Sequence, residues 1–253
     1  MIFILLISGC LVGILSGFLG VGGGLIIVPF LVFLGSAPLN AVGTSVLAVL
    51  IITMSASFHN WRQGHLDQQK LTYMSLPCIV STQLGVFSAS KLPAFWLLFF
   101  FGVFLLVCIA LFKLRSQTSE HSEAAPVSQQ HLYSLLWVGG LGGFLSGIFG
   151  VGGGAVLVPL QVLILKYPLK SAVRTSLGVV MISALFSSLG HCVAGNINLH
   201  QSILLGIGGL VGAQMGARAL PKLNDQTIAR YFVLLLLSLA IYVFWKAYSV
   251  SGQ

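Results

Sequence analysis

Two glycine-rich tracts offer the clearest chemistry in this sequence. Residues 20–24 and residues 150–154 both read GVGGG, and a short apolar segment follows each tract directly. The amide N–H groups at a helix N-terminus, with the helix dipole behind them, bind anions, and glycine lets a ligand approach the bare backbone. The tracts therefore predict an ion or anion site. The residues assigned to it are Gly22, Gly23, Gly24, Gly152, Gly153 and Gly154.

Close helix packing is the alternative role for these glycines. GxxxG spacings do occur, at Gly13/Gly17 and Gly143/Gly147. A P-loop is ruled out, because no Gly-Lys-Ser/Thr follows either tract. A matched pair of interrupted helices is typical of a transporter's binding site, so we favour an ion or anion site for the tracts. A separate stripe of small residues, predicted to serve helix contact, consists of Gly208, Gly212 and Gly216.

Hydroxyl and amide side chains recur at corresponding places in the two halves of the chain. Four hydroxyls could donate to an oxyanion or back-bond to their own helix, and they belong to Thr44, Ser45, Thr175 and Ser176. Gln83 and Gln214 lie within apolar segments, where a buried amide needs a partner. We assign all of these residues to the predicted substrate site and its path.

Two histidines are candidate proton carriers. His59 and His191 lie at the end of the corresponding segment in each half, one residue apart when the halves are aligned. Histidine changes its charge near neutral pH, although an interfacial position is the alternative for both residues. No carboxylate lies inside an apolar segment, which disfavours proton coupling through an acidic side chain.

The composition indicates an all-α polytopic membrane protein. The chain has 253 residues, of which 57% are hydrophobic and 6% are charged, and its mean hydropathy is +1.02. A soluble domain carries about 25% charged residues, so this chain could not cover a water-facing surface. Only helices and closed barrels satisfy the backbone in lipid, and barrel-type alternation is absent from the sequence. A large soluble domain is therefore excluded.

Cofactor, metal and enzyme chemistry find little support. The four cysteines have no CxxC spacing, so neither a zinc site nor a disulfide framework is indicated. The apolar segments contain no His/Asp/Glu cluster and no nucleophile–base pair, so we do not expect an enzyme. The net charge of +8 fits a topology signal in short loops better than nucleic-acid binding. The expected partners are a small anion, the lipid bilayer and, in a homo-oligomer, further copies of the chain.

An internal repeat divides the chain. Residues 13–29 and 143–159 are identical at eleven of 17 positions, at an offset of 130. We expect repeat one at 1–114, a polar cytoplasmic linker at 115–131 and repeat two at 132–253, which together form one membrane domain. The helices predicted in repeat one span 2–19, 25–34, 41–58, 71–90 and 94–114. Those predicted in repeat two span 132–149, 155–166, 170–190, 201–217 and 227–248.

The distribution of Lys and Arg indicates that the two repeats are inverted. If each glycine-broken stretch spans the membrane once, the basic residues divide 5 to 7 between the two sides. If each stretch is re-entrant, each repeat has three spans and the division becomes 10 to 2, with only Lys91 and Lys246 outside. The second division obeys the positive-inside rule. A segment such as 25–34 also reaches only about half of a ~30 Å hydrocarbon core.

The doubled motif resembles a known family. GxxxGxxGxGGGxxxVP followed by A-V-x-T-S occurs twice and is similar to the sulfite exporter TauE/SafE family of bacterial membrane transporters. The resemblance covers nearly the whole chain. It implies transport of a small sulfur-containing anion, such as sulfite, thiosulfate or an organosulfonate, across the bacterial inner membrane. Arg174, which replaces Gly43 of the first repeat, departs from the doubled pattern.

Three functional hypotheses follow from the tracts and the resemblance. The first is an exporter, because a cytoplasm-negative potential favours outward movement of an anion by about 2.3 kcal/mol per charge per 100 mV. The second is an importer of a sulfur compound or other small solute with the same fold. The third is a structural membrane subunit, which would leave two matched glycine tracts without a role.

The charge distribution predicts the sidedness of the chain. An epitope at the N-terminus should be accessible from outside intact cells. A cysteine introduced within 115–131 should react with a membrane-impermeant maleimide only after permeabilisation, because the basic residues near the linker favour the cytoplasm. A cytoplasmic N-terminus would contradict the inverted arrangement.

Overall fold

The chain folds into helices alone wherever its structure is described. The computed structural model describes residues 2–64, 67–116, 129–219 and 225–251, and these residues form ten α-helices. The first five are α1 (Ile2–Leu19), α2 (Gly24–Phe33), α3 (Pro38–Arg62), α4 (Gln68–Lys91) and α5 (Ala94–Ser116). The other five are α6 (Gln129–Phe149), α7 (Gly154–Leu163), α8 (Leu169–Val193), α9 (Leu199–Ala219) and α10 (Asp225–Ser251). Each predicted helix is confirmed.

Local chemistry explains where the helix ends differ from the predictions. Helix α3 begins three residues early because Pro38 occupies its first position, where proline is favoured. Helix α4 begins after Asp67, whose side chain accepts a 3.2 Å hydrogen bond from the Lys70 amide. Helix α7 ends three residues before the predicted end at 166, and Lys166 has a positive φ of 56°. Helices α5 and α6 extend into both ends of the predicted linker, whose central residues 117–128 lie outside the described ranges.

The helices have the length and apolar surface of a multi-pass membrane protein. Among the described residues, four helical segments are long and apolar enough to cross a bilayer. They are Pro38–Arg62, Ala94–Leu111, Leu132–Phe149 and Leu169–Val193. Large apolar side chains, including Phe87, Leu237 and Ile241, are exposed on the outside of the bundle. A soluble monomer rarely exposes so much apolar surface, so the prediction of a polytopic helical membrane protein is confirmed.

Helices α1 and α9 pack backbone to backbone. Gly9 lies against Leu205, Gly13 against Gly209 and Gly17 against Ala213. The residue numbers rise together, so the two helices run parallel. Residues of the predicted small stripe on α9 contact α1 in the same way, which confirms their role in helix contact. These are Gly208, Gly212 and Gly216.

Helices α4 and α6 repeat this packing with the halves exchanged. Gly139 lies against Met74, Gly143 against Cys78 and Gly147 against Thr82, so α6 runs parallel to α4. The Thr82 hydroxyl donates a 3.1 Å hydrogen bond to the Gly143 carbonyl. Since α1 and α6 are counterparts in the repeat, as are α4 and α9, each half supplies one helix to each contact.

Helices α3 and α8 form the centre of the bundle. Helix α3 runs parallel to α9, since Thr44 accepts from the Asn198 amide and, farther along, Ser55 donates to the Leu210 carbonyl. The short helix α2 packs against α3, and the short helix α7 packs against α8. Helices α5 and α10 pack against each other, and the ring centres of Phe99 and Phe244 lie 5.9 Å apart. The glycine tracts therefore lie among the most buried helices.

Adjacent glycines of α6 provide a test of the α4–α6 contact. A Cβ added to Gly139 would overlap the Met74 carbonyl oxygen, whereas a Cβ added to Gly140 meets nothing closer than Pro77 Cβ at 3.8 Å. Gly139→Ala should lower the free energy of unfolding by about 1–3 kcal/mol because overpacking forces the helices apart. Gly140→Ala should be neutral or slightly stabilising. Thermal unfolding in detergent measures both, and equal effects would contradict the packing.

Candidate functional site

Each glycine tract turns the chain through a conformation that other residues rarely adopt. Positive φ angles between 69° and 84° occur at Gly20, Gly22, Gly23, Gly150, Gly152 and Gly153. L-residues are strained in this left-handed region, whereas glycine enters it freely. The tracts therefore let α1 turn into α2 and α6 turn into α7 within four residues, 20–23 and 150–153.

The two tracts lie against each other. Gly24 packs on the Gly150 carbonyl, and Gly154 packs on the Gly20 carbonyl, so the tracts run antiparallel. Both centres face the same two valines, because a Cβ on Gly22 would lie 2.6 Å from Val180 Cγ1 and 3.2 Å from Val49 Cγ1. A Cβ on Gly152 would lie 2.5 and 3.1 Å from the same atoms. Close packing is thus one reason for these glycines.

Two of the predicted hydroxyls reach across to the opposite tract. Ser45 Oγ lies 2.8 Å from the Val42 carbonyl in its own helix and 2.9 Å from the Gly150 carbonyl of the second tract. Ser176 Oγ lies 2.8 Å from the Val173 carbonyl and 2.9 Å from the Gly20 carbonyl of the first tract. A hydroxyl has one hydrogen, so each serine can exchange its donation between helix and tract.

The other predicted polar residues lie away from this contact. Thr44 Oγ1 accepts a 3.0 Å hydrogen bond from the Asn198 amide, which positions the start of α9. Thr175 is fully buried near the start of α8. Gln83 is exposed and its Nε2 donates to the Phe186 carbonyl at 2.7 Å, while Gln214 is half-buried. Of the predicted hydroxyls and amides, only Ser45 and Ser176 have a recorded hydrogen bond to a tract.

The two candidate histidines occupy different environments. His59 is half-buried, and its Nε2 accepts a 3.0 Å hydrogen bond from the side-chain Nε2 of Gln63, one turn later in the chain. His191 is fully buried, and its Nε2 lies 3.2 Å from the Gly147 carbonyl oxygen, which can accept its proton. The sequence pairs these residues, but one residue is inserted after the second tract, so the repeat offset becomes 131 there and the residue that aligns with His191 is the buried Asn60.

A second pair of serines was missed by the sequence reasoning. Ser16 and Ser146 are 1% and 0% exposed, and neither hydroxyl has a hydrogen-bond partner among the described residues. Ser16 Cβ lies 3.7 Å from the position of a Cβ on Gly23. A cavity of about 10 Å³, room for about one water, lies between Ser16, Val21 and Gly23. Their identity in both copies of the LSG motif before each tract was the available signal.

Charged groups meet at the end of the bundle where α4 begins. Lys70 Nζ lies 3.0 Å from Asp67 Oδ2 and 4.3 Å from the centre of the Tyr167 ring. Burial raises the pKa of Asp67, but hydrogen bonds and charge from Lys70 outweigh it, and the pKa is lowered. Burial and then the charge of Asp67 raise the pKa of Tyr167 to about 12. The contact of Lys70 with the Tyr167 ring joins the start of α4, in the first half, to the segment before α8, in the second half.

No metal chemistry is visible in the described part of the chain, where no three His, Cys, Asp or Glu side chains come together. The site therefore consists of backbone amides and carbonyls with serine hydroxyls around them. Such groups can bind and release an ion, and they offer no nucleophile–base pair for covalent chemistry.

A polytopic helical bundle with paired glycine-broken helices meeting at its centre has the architecture of a membrane transporter. Comparison with known proteins agrees. The profile of the family described as sulfite exporter TauE/SafE matches residues 5–243, and the chain belongs to this family. The protein is a multi-pass membrane transporter.

Relatives are similar along most of their length. The chain is 25% identical to the probable membrane transporter protein YunE of Bacillus subtilis, covering 89% of this chain and 90% of YunE. It is 26% identical to the probable membrane transporter protein MJ0441 of Methanocaldococcus jannaschii, covering 88% of each. A probable membrane transporter protein of Xylella fastidiosa strain Temecula1 is 28% identical, with 96% of this chain and 94% of the relative covered. No solved structure matches the chain.

Two glycines with similar backbone angles separate strain from packing. Gly22 has a φ of 80° and faces Val180, whereas Gly35 has a φ of 91° and a Cβ there meets nothing within 4 Å. Gly35→Ala should lower the free energy of unfolding by about 1–2 kcal/mol, the cost of a left-handed L-residue. Gly22→Ala should lower it by about 1–3 kcal/mol more, because it also overpacks the tract contact. Equal losses in detergent unfolding would show that the tracts are not tightly packed in solution.

Proposed function

We propose that this transporter exports a small sulfur-containing anion, such as sulfite, thiosulfate or an organosulfonate, through a site at the two glycine tracts. The observation that carries the proposal is the antiparallel meeting of the tracts, each of which opens a half-helix. The family resemblance and the family name direct the choice of anion toward sulfur oxyanions.

The amides at the start of each half-helix are the proposed anion ligands. In α2 the amides of Ile26 and Ile27 donate to the Gly23 carbonyl, at 3.1 and 3.2 Å. The amides before them have no acceptor within their own helix, as at every helix N-terminus. Val156 and Leu157 donate to Gly153 in the same way in α7. The tracts thus present two sets of N–H groups with helix dipoles behind them.

Serine hydroxyls complete the proposed site. An oxyanion entering between the tracts would compete with the Gly150 and Gly20 carbonyls for the hydrogens of Ser45 and Ser176. Each hydroxyl would then donate its one hydrogen to the anion in place of the tract carbonyl. The proposed path to this site includes one threonine and one glutamine from each half. They are Thr44 and Gln83 in the first half and Thr175 and Gln214 in the second.

Inverted repeats are part of the proposal. Helices α1 and α3 both run parallel to α9, so α2, which lies between them in the chain, has to return toward the side from which α1 started. This return supports a re-entrant arrangement of α1 and α2. The start of α3, near Ser45, and the start of α8, near Ser176, contact opposite tracts, which supports antiparallel counterparts. We place the linker in the cytoplasm and both termini outside the inner membrane.

Transport requires this site to open. The cavity beside the first tract holds about 10 Å³, which admits about one water and no sulfur oxyanion. The hydrogen bonds from Ser45 and Ser176 to the opposite tracts join the two halves across the closed contact. We propose alternating access, in which the halves rock about the tracts and these bonds break and reform. The membrane potential drives the anion outward.

Import of a sulfur compound is the second candidate. The same site would serve inward movement, and only the driving force would differ. It would require a coupled ion, since an anion moves inward against a cytoplasm-negative potential. An environment for such an ion exists near His191, a buried histidine of α8.

A flux panel tests the proposed function. Proteoliposomes containing the purified protein should move at least one of sulfite, thiosulfate and an organosulfonate, and a reversed potential should reverse the flux. Gly23→Val should abolish the flux, because the added Cβ alone would lie 2.7 Å from Val12 Cγ1 and because the φ of Gly23 is 84°, an angle that valine rarely adopts. Gly35→Ala, which meets no neighbour within 4 Å, is the matched control and should retain flux.

Two results would overturn this proposal. If none of the anions in the panel is transported, the proposed substrate class is wrong. Flux that is unchanged when the potential is clamped to zero or reversed would remove the electrogenic mechanism.

A further inference from the structure

A stripe of polar side chains follows one face of α8. Ser183, Ser187 and His191 are spaced by four residues, so they lie on the same side of the helix, and each is 0% exposed. The helix is one of the segments long and apolar enough to span the membrane. Polar and ionisable groups inside a membrane are expensive and mark ion or proton paths.

Polar groups of α4 and α6 pack against this stripe. From α4, the buried Cys78 thiol lies 3.8 Å from Thr82 Oγ1, and from α6 the Gly147 carbonyl oxygen lies 3.2 Å from His191 Nε2. We call Ser183, Ser187 and His191 the polar track.

The polar track connects a glycine tract with the end of α8. At one end Ser183 Oγ lies 3.1 Å from the Gly152 carbonyl, within the proposed anion site. At the other end His191 lies in the last turn of α8, which ends at Val193, and the residues 192–195 that follow His191 are exposed. Eight residues separate Ser183 from His191, a rise of about 12 Å along the helix.

The first repeat has no such track. The α3 positions that correspond to Ser183, Ser187 and His191 hold Ile52, Ala56 and Asn60. Ile52 packs against Gly209, the counterpart of Cys78, and the counterpart of Thr82 is also apolar, Ala213. The same three-helix junction therefore folds with apolar side chains at the positions of Ser183 and Ser187, and with the buried amide of Asn60 at the position of His191. Its polarity in the second repeat is a difference in chemistry that the scaffold does not require.

Two atoms of the polar track have no hydrogen-bond partner among the described residues. They are Nδ1 of His191 and Oγ of Ser187. A buried polar atom without a partner is destabilising, so such atoms in a native protein point to an ion, a proton or a water that visits them.

We propose that His191 binds a proton that the transporter moves together with its anion, and that the polar track links this proton site to the glycine tracts. The inference rests on the proposed function. The proton adds to Nδ1 of the neutral imidazole from hydronium, which leaves water, while Nε2–H stays on the Gly147 carbonyl. Ser187 and Ser183 then provide hydroxyls along which water and the proton pass toward Gly152.

Electrostatics favours binding the two ions together. No side chain of the proposed anion site carries a positive charge, and an uncompensated anion in a low-dielectric site is costly. From α4 the titratable group on this junction is Cys78, and from α6 the facing group, the Gly147 carbonyl, does not titrate. Lys91, at the same end of α4, lies over the ring of Phe87 at 4.1 Å on the exposed surface. An imidazolium at His191 therefore supplies the buried compensating charge.

A pH dependence of anion binding tests this proposal. Thiosulfate and an alkanesulfonate are suitable probes because both stay fully ionised between about pH 5 and 8, where histidine titrates. Their Kd for the wild-type protein should fall about fivefold or more as the pH is lowered through this range, since the protonated form binds the anion better. His191→Gln retains an amide that can donate to Gly147 but does not titrate, so its Kd should not depend on pH.

His59→Gln is the matched control. It removes the histidine at the end of the counterpart helix, which is half-buried and bonded to Gln63. Its Kd should show the wild-type pH dependence. A wild-type Kd that does not change with pH, or a His191→Gln variant that keeps the dependence, overturns the proposal.

Proton movement with the anion is measured in wild-type proteoliposomes. With the potential clamped at zero, a pH gradient should drive thiosulfate to the alkaline side, and a trapped pH dye should report the accompanying protons. One proton per thiosulfate dianion leaves one net negative charge, so a cytoplasm-negative potential still drives the pair outward, while a pH gradient by itself drives it to the alkaline side. Ser187→Ala, which introduces the residue of the first repeat, should slow the gradient-driven flux and preserve the pH dependence of Kd.

These measurements separate the two proposals. No flux of either probe at any pH or potential contradicts the proposed function. Potential-driven flux without proton movement contradicts the coupling at His191 and leaves the anion site in place. If Ser187→Ala does not change the flux driven by the pH gradient, Ser187 is not part of the proton path.

Discussion

The backbone contact between the two glycine tracts is the constraint on which the rest of the structure depends. Gly24 lies on the Gly150 carbonyl and Gly154 on the Gly20 carbonyl, so no side chain separates the two chains. Non-helical backbone is tolerated at membrane depth only where protein or water satisfies it. Ser45 and Ser176 provide that satisfaction from the opposite half. The contact thus requires two copies of the unit, each completing the other.

The outer helices follow from this central contact. Glycines along α1 and α6 let these helices approach α9 and α4 backbone to backbone, and this holds each tract against its partner. Packing and binding are therefore compatible roles for the tract glycines. The same absence of side chains that lets the tracts touch would leave their amides accessible in the proposed open state, in which the halves separate.

The duplicated scaffold carries unequal chemistry. Ile52 and Ala56 line one junction, and Ser183 and Ser187 line its counterpart. All four side chains are fully buried, so both junctions are closely packed. At these positions only the junction of the second repeat has hydroxyl groups. A transporter built from two equal halves has two equivalent faces, and such differences are what can give it a preferred coupling ion and direction.

The sequence by itself determined the ten helices, the membrane class and the positions of both glycine breaks, because apolar periodicity and glycine conformation are local properties. It also identified the family through a doubled motif. Tertiary structure decided which polar residues meet. Ser45 reaches a tract while Gln83 lies on the surface, and His191 is buried while His59 is half-buried. A residue's helix face and neighbour depend on how the helices pack, and spacing along one helix does not contain that information.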